Sequence, residues 1–160
     1  MGRPRSTLAP LACAIALATV GCGAEAETGT PSACLEPAAT YREELAAAPE
    51  EVRLGGETPI SACLVDGQSP GDIGSVGETV IAVATDLNVR ARRDPSSSAT
   101  VELGYLVSAV QEGATTTDGI HEDLIRRLDA AARFAPAAEP PPPRFERAFG
   151  EGYAAGQASG

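Results

Sequence analysis

A chain of 160 residues that sets 22 acidic side chains against 12 arginines, with no lysine, carries a net charge of −10. That balance excludes the broad basic face that a nucleic acid or an anionic lipid surface demands. Aromatic residues make up only 4% and Trp is missing, so a core must come from Ala, Val, Leu and Ile, which suit closely packed helices better than a large ligand cavity.

At the N-terminus Arg3 and Arg5 precede an uncharged apolar run from Leu8 to Val20, broken only by Pro10 and Thr19. The run is too short for a membrane helix, which needs roughly 20 residues. It matches the apolar region of an export signal following a basic flank, so residues 1–21 are expected to be a signal peptide. Arg3-Pro4-Arg5 is not a paired arginine, which points to the general secretory route.

The run ends in Thr19-Val20-Gly21-Cys22, which resembles the lipobox of bacterial lipoproteins, a small apolar run closing on an invariant Cys. Gly21 and Cys22 match it, whereas Thr19 stands where Leu is usual and Val20 where Ala or Ser is usual. The resemblance covers the first 22 residues. It implies that Cys22 is acylated, becomes the first mature residue and tethers the chain to the outer face of the membrane. It speaks to anchoring and not to activity. The competing site is Ala24-Glu25-Ala26, where cleavage would instead yield a secreted protein.

Of the four cysteines, Cys13 leaves with the signal and Cys22 is either acylated or removed. Cys34 and Cys63 remain, an even pair in an oxidising compartment, and a disulfide between them is expected. Closing that loop is worth about 3–4 kcal/mol on the chain-entropy estimate. The rival use, a metal site, lacks the close Cys spacing that such sites show.

Residues 22–32 are small and polar and read as the acylated Cys and a flexible tether. A first helix is expected over 33–47, with Cys34, Ala38, Tyr41 and Leu45 on one face and Pro37 tolerated only in a first turn. Pro49-Glu50-Glu51 can open another short turn, and Gly55-Gly56 breaks the chain. Thr58-Pro59 resembles a helix start, and Ile60, Cys63 and Leu64 share a face, although a short strand fits that run as well.

Ser69-Pro70-Gly71-Asp72 is a stronger start, with a cap, a Pro and a first-turn carboxylate. Ile73, Val76, Val80, Val83, Ala84 and Leu87 then keep a helical period to about Arg92, weakened by Gly74 and Gly77 at roughly 1 kcal/mol each. Asp94-Pro95-Ser96-Ser97-Ser98 is a loop. Leu103, Leu106, Val107 and Val110 mark the next helix, which Gly113 to Thr117 breaks. A last helix opens near Asp118, with Ile120, Leu124, Leu128 and Ala131 as its apolar stripe. Short connections between helices of similar length predict an all-α fold, a small bundle of three to four main helices over residues 33–134. Residues 135–160 are rich in Pro, Ala and Gly and are expected to be a disordered tail, with Pro140–Pro143 extended. Within it Phe145, Phe149 and Tyr153 recur every fourth residue, the spacing of a short helix that docks on a partner.

Motifs for chemistry are scarce. His121, the sole histidine, is followed by Glu122 and Asp123, but adjacent helix positions diverge, so the ring reads as a solvated or capping group. Gly74-Ser75-Val76-Gly77 imitates a nucleophile motif without its strand-to-helix turn. Glu43-Glu44 and Glu50-Glu51 read as solvated pairs, since an acid–base pair needs one desolvated member. Arg90, Arg92 and Arg93 complement a helix C-terminus. Glu122–Arg126 and Asp123–Arg127 form stabilising i, i+4 pairs. No phosphate loop, dinucleotide fingerprint or cofactor motif is present. The sequence therefore points to a non-catalytic, membrane-anchored envelope lipoprotein that binds or supports another envelope protein, with no nucleic-acid partner and no cofactor. The alternative is an extracytoplasmic small-ligand or metal-binding helical protein.

Overall fold

A computed structural model describes Gly2, residues 29–134 and residues 140–160. Apart from Gly2, the expected signal peptide lies outside the described residues, as do the competing cleavage site, Cys22 and 135–139. Five α-helices follow in order: α1 (Ala38–Leu45), α2 (Pro70–Arg93), α3 (Ser98–Ala114), α4 (Glu122–Ala132) and α5 (Pro143–Ser159). Two 3-10 turns, Ser32–Leu35 and Ile60–Cys63, complete the set. The protein is an all-α bundle. None of the described helices is long and apolar enough to cross a membrane.

Local chemistry sets the boundaries. Pro37 forces the preceding Glu36 into extended backbone, so the single helix expected over 33–47 divides into a 3-10 turn and α1. The Leu54 and Thr58 backbones bond to each other across Gly55 and Gly56, whose φ of 59° and 81° give the tight reversal. Ile60–Cys63 is a 3-10 turn rather than a strand. At α2 the Ser69 hydroxyl accepts from the Asp72 N–H at 3.2 Å, Pro70 holds the first turn, and Arg90, Arg92 and Arg93 lie in the last.

The helix expected near Asp118 begins four residues later, at Glu122. Asp118 and Gly119 have φ of 46° and 82°, left-handed backbone that a right-handed helix cannot contain. Ile120, assigned to the apolar stripe, therefore lies in the turn and is 42% exposed, whereas Leu124 and Leu128 are buried.

The long helices run up, down, up and down. Gly77 faces Leu124, and the Asn88 side chain bonds the Ala131 carbonyl, so α2 and α4 are parallel. Gly104 faces Phe149, and Gly160 faces Ala109, so α3 and α5 are parallel. Helix α3 meets every other helix and is buried along most of its length. Around it Tyr41, Leu45, Val80, Val83, Leu87, Leu103, Leu106 and Val110 form one core.

The expected disorder of the C-terminal tail is overturned, because Pro143–Ser159 is a helix lying along α3. Pro142 and Pro143 set its first turn, a position where Pro is well suited. Phe134, Phe145, Phe149 and Tyr153 stack in series, with ring centroids 4.3, 5.5 and 6.0 Å apart. The helical spacing of the last three thus serves this chain's own core. Glycine does the rest. A Cβ at Gly152 would overlap the Val101 carbonyl oxygen, and one at Gly104 would overlap that of Phe149. The two backbones touch because neither position carries a side chain.

Candidate functional site

The densest polar constellation lies where the chain joins the bundle, at the end that carries the N-terminus of α2. Cys34 and Cys63 are disulfide-bonded, with Cα atoms 5.3 Å apart, as the cysteine count suggested. Both are fully buried. The Tyr41 hydroxyl donates to the Cys34 carbonyl at 2.9 Å and sits 3.6 Å from Cys63 Sγ. Burial pushes the Tyr41 phenol far up, so it stays a neutral donor.

Beside the disulfide a chain of donors runs outward. The Gln68 amide donates to the Cys63 carbonyl at 3.0 Å and to the Thr30 hydroxyl at 2.7 Å. Those two bonds assign its nitrogen, so its oxygen is the atom that faces His121 Nε2 at 2.6 Å. His121 Nε2 therefore carries the hydrogen and donates. Its Nδ1 lies 2.9 Å from the Thr117 hydroxyl, whose single hydrogen is shared between this nitrogen and the Ala114 carbonyl at 2.9 Å. At the far end the Thr30 hydroxyl donates to Asp72 Oδ2 at 3.2 Å. His121, Gln68, Thr30 and Asp72 thus hand donors one to the next until a carboxylate accepts the last.

His121 corrects the sequence reading. It is 1% exposed rather than solvated, and its side chain does not cap α4. The left-handed turn at Asp118 and Gly119 reverses the chain so that the ring points at Gln68 instead of water. Desolvation holds the imidazole below its ordinary value and keeps it neutral. The series His121, Gln68, Thr30 and Asp72 holds no strong nucleophile, and each of its members is already bonded. Its chemistry is that of a clamp joining Thr30 to α2 and to the turn before α4.

The other residues singled out by sequence are dispersed. Ser75 is exposed and its hydroxyl donates to the Gly71 carbonyl at 3.0 Å inside α2. Glu43, Glu50 and Glu51 are exposed and Glu44 is half-buried. Arg126 pairs with Asp123 at 3.0 Å and Glu122 at 3.9 Å, and Arg127 with Asp123 at 4.0 Å. No group of three metal-binding side chains occurs among the described residues. Among the described residues, two of the open surface hollows are well defined. One, of about 280 Å³, is lined by Ala114, Gly119, Glu122, Ile125 and Arg126. The other, of about 380 Å³, lies between Ser32, Glu36, Thr40 and Thr58. Neither contains a buried titratable group. In comparisons with known proteins the chain matches no family model, no curated protein and no solved structure.

Proposed function

We propose that this chain is a lipid-anchored module of the bacterial cell envelope, tethered through Cys22, which binds another envelope component without performing chemistry. The observation that carries the reading is the disulfide between Cys34 and Cys63, which belongs to an oxidising compartment outside the cytoplasm. Its first cysteine stands a short polar segment beyond the lipobox-like Thr19-Val20-Gly21-Cys22. The Thr30 clamp supports the same reading, since it gives a pull on the N-terminus a fixed point on the bundle.

The test is the intact mass of the protein extracted from its native membrane, measured with and without reductant. The expected result is a chain beginning at acylated Cys22 that gains two hydrogens on reduction. A soluble chain beginning at Glu27, without acyl groups, would remove the anchor. Free thiols at Cys34 and Cys63 before reduction would remove the compartment argument as well.

A further inference from the structure

The end of the bundle opposite the clamp gathers four arginines, with Asp94 and Glu146 at the same end. Arg92 and Arg93 lie in the last turn of α2, Arg133 directly follows α4, and Arg144 is in the first turn of α5. Their closeness is explicit in the bonding. Arg92 donates to the Arg133 carbonyl at 2.8 Å, and Phe134 stacks on Phe145 at 4.3 Å. Asp94, in the loop between α2 and α3, is held below the usual carboxylate range by the Ser96 hydroxyl and N–H, with the Arg144 charge adding to them. All four arginines are exposed.

Among the described residues, salt bridges do not account for these cations. Arg90 has a structural role, 3.7 Å from the buried Glu102 carboxylate. Asp94 feels the Arg144 charge but takes its hydrogen bonds from Ser96, at 3.0 Å and 2.8 Å. Among the described residues no carboxylate comes within 4.0 Å of Arg92, Arg93, Arg133 or Arg144. Helix dipoles explain Arg92, Arg93 and Arg133, which sit at C-termini, but not Arg144. A cation in the first turn of a helix opposes the dipole. A protein with a net charge of −10 has thus gathered arginines from three elements at one pole, one of them against local preference.

We propose that this pole is a docking surface for an acidic segment of a partner protein. Arginine's planar fork suits carboxylates, which it can engage through two parallel hydrogen bonds. Val89, 45% exposed and one turn before Arg92 and Arg93, offers an apolar contact beside the cations. Cations around an apolar point fit a peptide better than a uniformly charged polymer, since interfaces surround apolar contacts with polar ones. The proposal rests on the reading of the protein as a binding module and gives that module a surface.

The experiment uses the full chain purified in detergent and a short fluorescent peptide of Glu and Leu, with a Gln-for-Glu peptide as control. The wild-type protein is expected to bind the acidic peptide, to ignore the control, and to release the acidic peptide as salt is raised. Reversing two charges, Arg93→Glu with Arg144→Glu, is expected to weaken binding by about tenfold or more. The same charge change elsewhere, Arg126→Glu with Arg127→Glu, should leave binding unaltered. If the first pair does not fold, as judged by its melting curve, Arg93→Gln with Arg144→Gln replaces it. Equal binding by the pole variant and the α4 variant would overturn the proposal. So would tighter capture of inorganic polyphosphate than of the peptide, which would assign the pole to an anionic polymer. An unacylated protein that still binds the peptide would cost the anchor and leave this surface. An acylated one that does not bind would do the reverse.

Discussion

Two peripheral segments drape over α3, and they are retained by opposite means. The segment from Thr30 to Leu64 contains only short helices and is fastened by the Cys34–Cys63 bond, buried Tyr41 and the hydrogen bonds of Gln68. Helix α5 has no covalent fastening. It stays because glycines let its backbone meet that of α3, and because a row of aromatic rings covers the seam. Both segments also bury apolar side chains, Leu45, Val52, Leu54, Ile60 and Leu64 in the first and Phe145 in the second. The contrast shows that a chain poor in hydrophobic bulk can anchor its periphery either by a crosslink that penalises the unfolded state or by close fit in the folded one.

Breaking the crosslink should have the largest effect. Cys34→Ala with Cys63→Ala is expected to cost about 3–4 kcal/mol, visible as a lower melting temperature, and reductant should lower that of the wild type alike. Trypsin should then cut sooner at Arg42 and Arg53 than at Arg144 and Arg147. If both pairs of sites open together, the two segments are not independently held.

The close fit is tested by Gly152→Val, whose new side chain would meet the Val101 carbonyl. A loss of about 1–3 kcal/mol is expected, with the protease pattern inverted, so that Arg144 and Arg147 open first. A variant melting like the wild type would show that α5 can shift along α3 without penalty.

The smallest effect concerns pH and only the first segment. Burial lowers the imidazole value of His121, so between that value and about 6.5 the unfolded chain binds the additional proton. Stability is therefore fully present above about pH 6.5 and falls as pH drops through it toward the lowered value. Melting temperatures measured between about pH 7 and about pH 5 should decline in the wild type. They should decline less in His121→Gln. Equal slopes would show that other groups govern the acid response.

Much of this architecture is legible in the sequence. Ser69-Pro70-Gly71-Asp72 started α2 as its capping chemistry indicated, and the apolar periods of α2 and α3 were strong enough to survive Gly74 and Gly77. Helix α5 showed only in the spacing of Phe145, Phe149 and Tyr153; its docking on α3 was not legible, because glycines at 152 and 156 signal flexibility in a sequence and close approach only once a partner backbone is known. The clamp was hidden for another reason. Gln68 and His121 are 53 positions apart and Thr30 and Gln68 are 38 apart, and no periodicity links such residues. Even the turn that buries His121 depends on Asp118 adopting positive φ, which its neighbour Gly119 suggests but does not require. The arginine pole needed the up-down order of the helices before positions 92, 133 and 144 could be seen as neighbours.

The even number of long helices has a consequence for reach. Thr30 is clamped at the pole where α2 begins, and the Ser61 hydroxyl donates to the Gly160 carbonyl at that same pole, so Thr30 and Gly160 both lie away from the arginines. Helix α2, with 24 residues, separates the two poles by about 36 Å. An extended tether over residues 23–29 would add about 25 Å. Under the proposed anchoring, Val89 and its arginines become the tip of a boom that sweeps a shell about 60 Å deep above the bilayer, and a partner fixed beyond that height stays out of touch.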